Sequence, residues 1–568
     1  MYIERVPNRN SKPAILLRES RREGKRVRKR TLANLSHWPE EKIEAFRRLL
    51  RGERLVPAGE AFVIKRSLPH GHVRAVLGTL KKLGLDRMIA SKRCRKRDLV
   101  VAMIVERLLH PGSKLANTRT WLTSTLAEEL DVADAEVDEV YSALEWLIAR
   151  QSRIESKLAS RHLQEGGIAM YDLSSSSYYG RKCSLARFGK NRDGKRGVPC
   201  IAYGWLLADR EGRPISIDVY PGNTGDPATV IHQVEKIKKR FGLSRVVLVG
   251  DRGMLTQTQI STLKKHPGIG WISALRSSQI KGLVSRGFLQ LSLFDERNIA
   301  EISSPEYPGE RFVACFNPLL AEERRRKRDE LLRATEESLK RIQAQIGRRK
   351  KKPMSREEIG LKVGRVINRY KVAKHFRVEI RENHLYWERR QENIEKERAL
   401  DGIYVVRTSE SDREFSSMEV VRSYKRLSLV EKAFRCMKSI DLRVRPIWLR
   451  REDHVRAHFF ICMLAYYVEW HMQRALAPLL FVDEEIEALR ESRDPVVPAR
   501  PSGSAKKKRS SRRSREGFPL DSFSSLLLEL GTLCRNSCSL GSDPEGPTLK
   551  ILTEPTELQA RVFHLLGV

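Results

Sequence analysis

The sequence predicts an α/β protein, and three observations carry that reading. Short apolar runs at 168–173, 201–208, 215–220 and 245–250 have the length and aliphatic content of strands. A stretch with helical spacing, through Val230, Val234 and Ile237, separates the third run from the fourth. The order is therefore strand, strand, strand, helix, strand, a layered α/β arrangement. Acids close the first and fourth strands: Asp172 in Tyr171-Asp172-Leu173, and Asp251 in Gly250-Asp251-Arg252-Gly253. Functional side chains of open α/β sheets gather at such strand ends.

Composition narrows the partners. The 568 residues carry 108 Lys and Arg against 71 Asp and Glu, a formal charge of +37 spread along most of the chain. A basic chain of this size suits nucleic acid, because displaced counterions drive binding to phosphate backbones. A membrane surface or a ribosomal partner would more often be met by a shorter chain or an amphipathic anchor. The eight cysteines are scattered and form no CxxC pair, so free thiols in a reducing compartment are expected. No apolar leader follows Met1 and no apolar run reaches membrane-spanning length. A soluble cytoplasmic protein without membrane contact is the expectation.

Texture divides the chain into six parts. Residues 1–60 read as a small β-rich module, with a turn at Gly24 and a short helix after Pro39. Its basic run at 25–30 is either a DNA-touching arm or a solvated hairpin. Residues 61–165 read as a helical domain, whose apolar positions fit core packing as well as a duplex-gripping role. Residues 166–255 hold the strands above, with a turn at 209–212. Residues 256–400 read as an insertion with a strand at 312–316 and a charged helix at 320–346. Leu332, Leu339 and Ile346 recur there every seven residues, as a coiled coil or a helical hairpin would have them. Ser355 starts a further helix, and strands at 376–380 and 403–407 lead back to the core. Residues 401–480 complete that core and include a very apolar helix at 453–472. His454 and His458 stand one turn apart on it, but no glutamate follows His454 as a zinc-protease motif needs. They read as structural or phosphate-facing. Residues 481–568 form a C-terminal region whose acid-free basic segment, 502–515, reads as disordered, serving DNA or only solvation.

The stretch at 424–438 organises the rest. It contains no Gly or Pro, and Leu427, Val430, Phe434 and Met437 recur at helical spacing. Tyr424, Glu431 and Lys438 are seven residues apart and fall near one helical face. Asp172, Asp251 and Glu431 together form a candidate catalytic and metal-ligating set. Two Mg²⁺ ions about 4 Å apart need carboxylates arriving from different elements. Taken singly, each acid has a plainer reading: a turn cap, a salt bridge to a neighbouring arginine, a surface helix residue.

These residues carry a resemblance. Tyr171-Asp172, Gly250-Asp251-Arg252-Gly253 and the 424–438 helix resemble the signature regions of DDE transposases of bacterial insertion sequences. Tyr424, Glu431 and Lys438 match the Y-x2-R-x3-E-x6-K spacing of one branch, and 221–224, the Arg445-Pro446 step and the apolar helix after it are also similar. The similarity covers residues 1 to about 475. It implies a ribonuclease-H-like catalytic core interrupted by a large mixed α/β insertion, with an N-terminal β-rich and helical region. It implies Mg²⁺-dependent strand cleavage and strand transfer at terminal inverted repeats, with Mn²⁺ able to substitute. The implied partners are double-stranded repeat and target DNA, within a homodimer or larger synaptic complex at the bacterial nucleoid. Tyr424, Lys425, Arg426, Arg435, Lys438 and Arg252 are then the candidate DNA-binding residues. One departure stands out: Leu427 occupies the motif's arginine position. A transposase-derived DNA-binding protein without chemistry, or a nuclease on the same core, are the alternatives.

Overall fold

The structure, a computed structural model, describes residues 1–9, 11–53, 62–208, 211–294, 298–349, 352–496, 499–540 and 546–568. Asp209 and Arg210 of the expected turn lie outside the described residues. Two compact units result: 1–69 with 533–554, and 70–532 with 555–568.

In the smaller unit, strands Tyr2–Val6, Ala14–Glu23 and Arg26–Asn34 form an antiparallel sheet. The expected turn is there, with Gly24 at φ +62°, a conformation that glycine adopts without penalty. The helix Glu40–Leu50 follows Pro39. A second three-stranded sheet places Cys534–Leu540 between Phe62–Pro69 and Leu549–Leu552.

The larger unit is built on one eight-stranded sheet, numbered here in chain order: β1 Ile168–Ser177, β2 Cys200–Ala208, β3 Arg213–Pro221, β4 Val246–Gly250, β5 Ile269–Ala274, β6 Ile299–Ile302, β7 Arg311–Phe316 and β8 Ile403–Thr408. Their order across the sheet is β6-β7-β8-β5-β4-β1-β2-β3. β1, β4 and β5 run parallel, and the flanking strands pair antiparallel. The strands at 201–208, 215–220 and 245–250 are present as expected. β5, within the span read as an insertion, is instead a central strand, and β7 and β8 extend the same sheet. Its apolar run is short and interrupted by Gly270, which weakens its strand signal. A side chain at that glycine would run into the Glu410 carboxylate, which would have to shift.

Alternation along β1 sends Tyr171 and Leu173 to one face and Asp172 to the other. The first face packs on Val230, Val234 and Ile237 of the following helical segment and on Ile260 and Leu263. The second is covered by α1 Ser417–Lys425, α2 Leu427–Arg435 and α3 Glu452–Ala475. α3 is apolar nearly all round because it is packed on both sides. Phe459 and Tyr466 meet Tyr203 and Trp205 of β2, and helices Arg95–Leu109 and Val137–Ile148 lie against it.

Between β7 and β8 the helix Pro318–Arg348 pairs with Arg356–Ile367 and with the hairpin Phe376–Arg381/His384–Arg389. The seven-spaced Leu332, Leu339 and Ile346 form a separate small core with Ile359, Val363 and Phe376. The spacing thus marks a helical hairpin. The basic segment 502–515, read as disordered, contains instead a helix, Gly503–Ser511. Ser502 caps it, and the buried Lys508 ammonium reaches the Ala477 carbonyl at 2.6 Å and Glu484 at 3.0 Å. Among the described residues no helix is long and apolar enough to cross a membrane.

Candidate active site

The register of the parallel pair sets the site. Tyr171 of β1 pairs with Gly250 of β4, the last pair of their parallel register, so Asp172 and Asp251 each stand one residue beyond it: Asp172 within β1, which runs on to Ser177, and Asp251 just past the end of β4. Asp172 is partly buried and Asp251 exposed. Burial pushes the Asp172 carboxyl up to about 6. The Leu173 amide and Arg192 pull it down, while the charges of Asp251 and Asp226 add to the rise. The Leu173 amide donates to Asp172 Oδ1 at 2.8 Å.

Glu431 is placed by the anchors on either side of it. The Tyr424 hydroxyl donates to Asp251 Oδ1 at 3.5 Å, and burial followed by the Asp251 charge raises its phenol above its ordinary value. Phe434, three positions after Glu431, packs on Trp205 with ring centroids 5.8 Å apart. Trp205 is the residue paired with Asp172 across β1 and β2. The segment between these anchors therefore spans from Asp251 to the strand pair that carries Asp172, with Glu431 exposed on it. It is not one uninterrupted helix: α1 ends at Lys425, α2 starts at Leu427, and a wider π-turn runs over Cys436–Ile440.

Lys438 closes the far end. Its ammonium donates to the Ser175 carbonyl at 2.8 Å and meets Asp193 Oδ1 at 3.3 Å. Burial lowers the lysine's pKa. Asp193 also takes Arg445 at 3.0 Å and the Ser177 amide at 2.7 Å. Burial opposes its charge, but these partners outweigh it and hold the carboxyl below its ordinary value.

Not every candidate gathers here. Arg252 and Arg435 are exposed, and Arg252 acts electrostatically on Tyr424. Lys425 points elsewhere, bonded to the Pro495 carbonyl and over the Tyr404 ring. Arg426 is buried at the junction of α1 and α2. Neither is available to a strand at the acids. Sequence reading missed Arg192, Asp193, Asp226 and Arg445. Two of the four buried serines at 174–177 hold the 190–193 loop onto β1: Ser175 donates to the Lys190 carbonyl at 2.7 Å and accepts from the Arg192 amide at 2.9 Å, and the Ser177 hydroxyl accepts from Asn191 at 3.1 Å. A polar serine run inside an apolar strand was the available signal.

The donor set suits a hard divalent ion, being carboxylate oxygen from separate elements, with one carboxyl already strained by burial and neighbouring negative charge. As a set the three acids stand farther apart than the closest trio among the described residues, Cys436, Asp441 and Glu469, whose ligand atoms lie within 4.8 Å of one another. That trio is tied up internally, the Cys436 thiol and the Gln473 amide both donating to Glu469.

Residues 3–58 match the family described as IS1634 family transposase, N-terminal domain, and residues 184–468, half of the chain, match the Transposase DDE domain. The second match includes Asp251 and Glu431 and begins after Asp172. No curated protein matches the chain. Among solved structures, a piggyBac transposase in a synaptic complex with hairpin DNA is similar at 10% identity and a TM-score of 0.30, over 76% of this chain and 84% of that one. That similarity is too slight to equate the two folds.

Proposed function

Because the chain belongs to the DDE transposases of insertion sequences, we propose that it cuts and joins DNA strands at the terminal inverted repeats of its element, with Asp172, Asp251 and Glu431 as its divalent-ion ligands and Mg²⁺ as the ion. The observation that supports this is the pairing of Tyr171 with Gly250, the last pair between these parallel strands, beyond which Asp172 continues β1 and Asp251 follows β4. The strand order β3-β2-β1-β4-β5 also supports a ribonuclease-H-like core, with the segment between β5 and β8 as its insertion.

When bound, the ions activate the attacking water or 3′-hydroxyl and stabilise the leaving oxygen. The chain's own residues do the rest. Tyr424 orients Asp251 through its hydroxyl. Lys438 acts as a positioning residue, tying the segment that carries Glu431 to the backbone of β1 at Ser175. Arg252, exposed beside Tyr424, is the cation best placed to meet a strand phosphate where Leu427 replaces the motif's arginine. The partner is double-stranded DNA, and two or more copies would hold the paired ends.

The test is Mg²⁺-dependent cleavage and joining of DNA carrying the element's own ends, comparing wild type with Glu431→Gln. Joined products that vanish in the variant support the proposal. Cleavage without joining by the wild type points to the nuclease alternative. Equal binding with no cleavage by either protein overturns the catalytic reading.

A further inference from the structure

A cavity of about 790 Å³ lies away from the acids. It lies between the loop at 110–114, the start of α3 and the segment 443–451. Its lining includes six lysines and arginines, two histidines and no Asp or Glu. Arg443, Arg450 and Arg451 are exposed at its mouth, whereas Arg107, Lys114 and His458 are buried at its floor.

The floor is electrostatically incomplete. Arg107 is 2% exposed and Lys114 3%. Among the described residues neither pairs with a carboxylate: Arg107 donates to the Gly112 carbonyl at 2.9 Å, and Lys114 lies 3.4 Å from the His458 ring. Arg107 Nε and both polar side-chain atoms of the buried Asn117 have no partner. Acids around it are engaged elsewhere: Glu145 with Arg451 and His454, Asp193 with Arg445, and the buried Glu106, next to Arg107 in the chain, with His110 at 3.2 Å. Burial, then the charge of Arg107, brings the Lys114 ammonium down to about 7. Two buried cations without a carboxylate are costly unless an anion shares the space. A tetrahedral oxyanion answers this donor pattern, and the volume admits a nucleotide unit around it.

We propose that this cavity binds phosphate, and that it takes a backbone phosphate of the DNA strand running from the acids. Arg445 lines the cavity and also pairs with Asp193, which holds Lys438, so the two sites are contiguous. The choice of DNA as the source rests on the reading of the chain as a transposase; the phosphate chemistry does not.

Lys114→Met tests it, with Arg450→Gln at the mouth as a second variant that leaves the core untouched. Inorganic phosphate and pyrophosphate, at constant ionic strength, should raise the Tm of the wild type and raise that of Lys114→Met less. Lys114→Met alone should not lower the Tm, because it removes one of two like charges. Both variants should bind a duplex several-fold more weakly, with the salt dependence shallower by about one ion. Phosphate stabilisation with unchanged duplex binding would keep the pocket and assign it to free phosphate. No stabilisation by either anion, with salt slopes unchanged in both variants, would overturn the proposal. Cleavage enters neither readout, so a protein that binds through this pocket and cuts nothing would sink only the catalytic reading.

Discussion

The acid-bearing strands β1 and β4 and the basic cavity are opposite constructions within one unit. Where the parallel pairing of β1 and β4 ends, like negative charges are brought together by backbone register, and burial pushes Asp172 up to about 6. In the cavity, like positive charges are brought together by helix packing, and burial brings Lys114 down to about 7. Each arrangement is unfavourable alone and is relieved by an ion of the other sign. The link between them, Lys438–Asp193–Arg445, is by contrast internally neutralised. On the reading proposed above, the difference separates groups that hold the architecture from groups that meet a ligand. A strand of DNA with its divalent ions carries both complements.

The largest effect expected is on the anchor of Glu431. Phe434→Ala removes a buried ring from Trp205 and Tyr203 and should cost about 3–5 kcal/mol in denaturant unfolding. A cost below about 1 kcal/mol would mean that α2 is not pinned there. Asp172→Asn should reduce cleavage and joining more than about 100-fold, with duplex affinity unchanged. An equal fall in affinity would move Asp172 from the chemistry to the DNA contact. Lys438→Met leaves the buried Asp193 with Arg445 as its remaining cation and should cost about 1–3 kcal/mol, read by the same unfolding measurement.

The smallest effect is in acid. Asp193 has a folded pKa below its ordinary 3.8, so its contribution is fully present above that value and is lost as pH falls through the lower folded one. The stability gap between wild type and Asp193→Asn should therefore close on acidification. A gap that stays constant would show that the carboxylate charge contributes nothing to the link.

The sequence disclosed those parts of the site that sit on continuous elements. Asp172 follows the apolar start of β1 and Asp251 follows the apolar β4, so both acids could be picked out as candidates, and the resemblance joined them into a set. Glu431 was legible through the spacing of Tyr424, Phe434 and Lys438. The 190–193 loop was not, because its meaning depends on Lys438, 245 positions away from Asp193. The break at Arg426 and the π-turn at Cys436–Ile440 were hidden by an unbroken helical pattern. Lys425 and Arg426 read as surface cations, yet one is folded onto the 495 carbonyl and the other buried. The helix at Gly503–Ser511 was masked by its own charge, since Lys508 is buried through contacts that no local pattern announces. Arg107, on an apolar helix, and Lys114, at the start of a polar one, gave no signal for the same reason: a lysine or arginine is read as solvated until packing shows otherwise.

The measurement that bears most directly on this division is a calorimetric titration of Mg²⁺ or Mn²⁺ into wild type, Asp172→Asn and Lys114→Met. The account predicts ion binding by wild type and Lys114→Met and its loss in Asp172→Asn. Binding that survives in Asp172→Asn, or disappears in Lys114→Met, would contradict it.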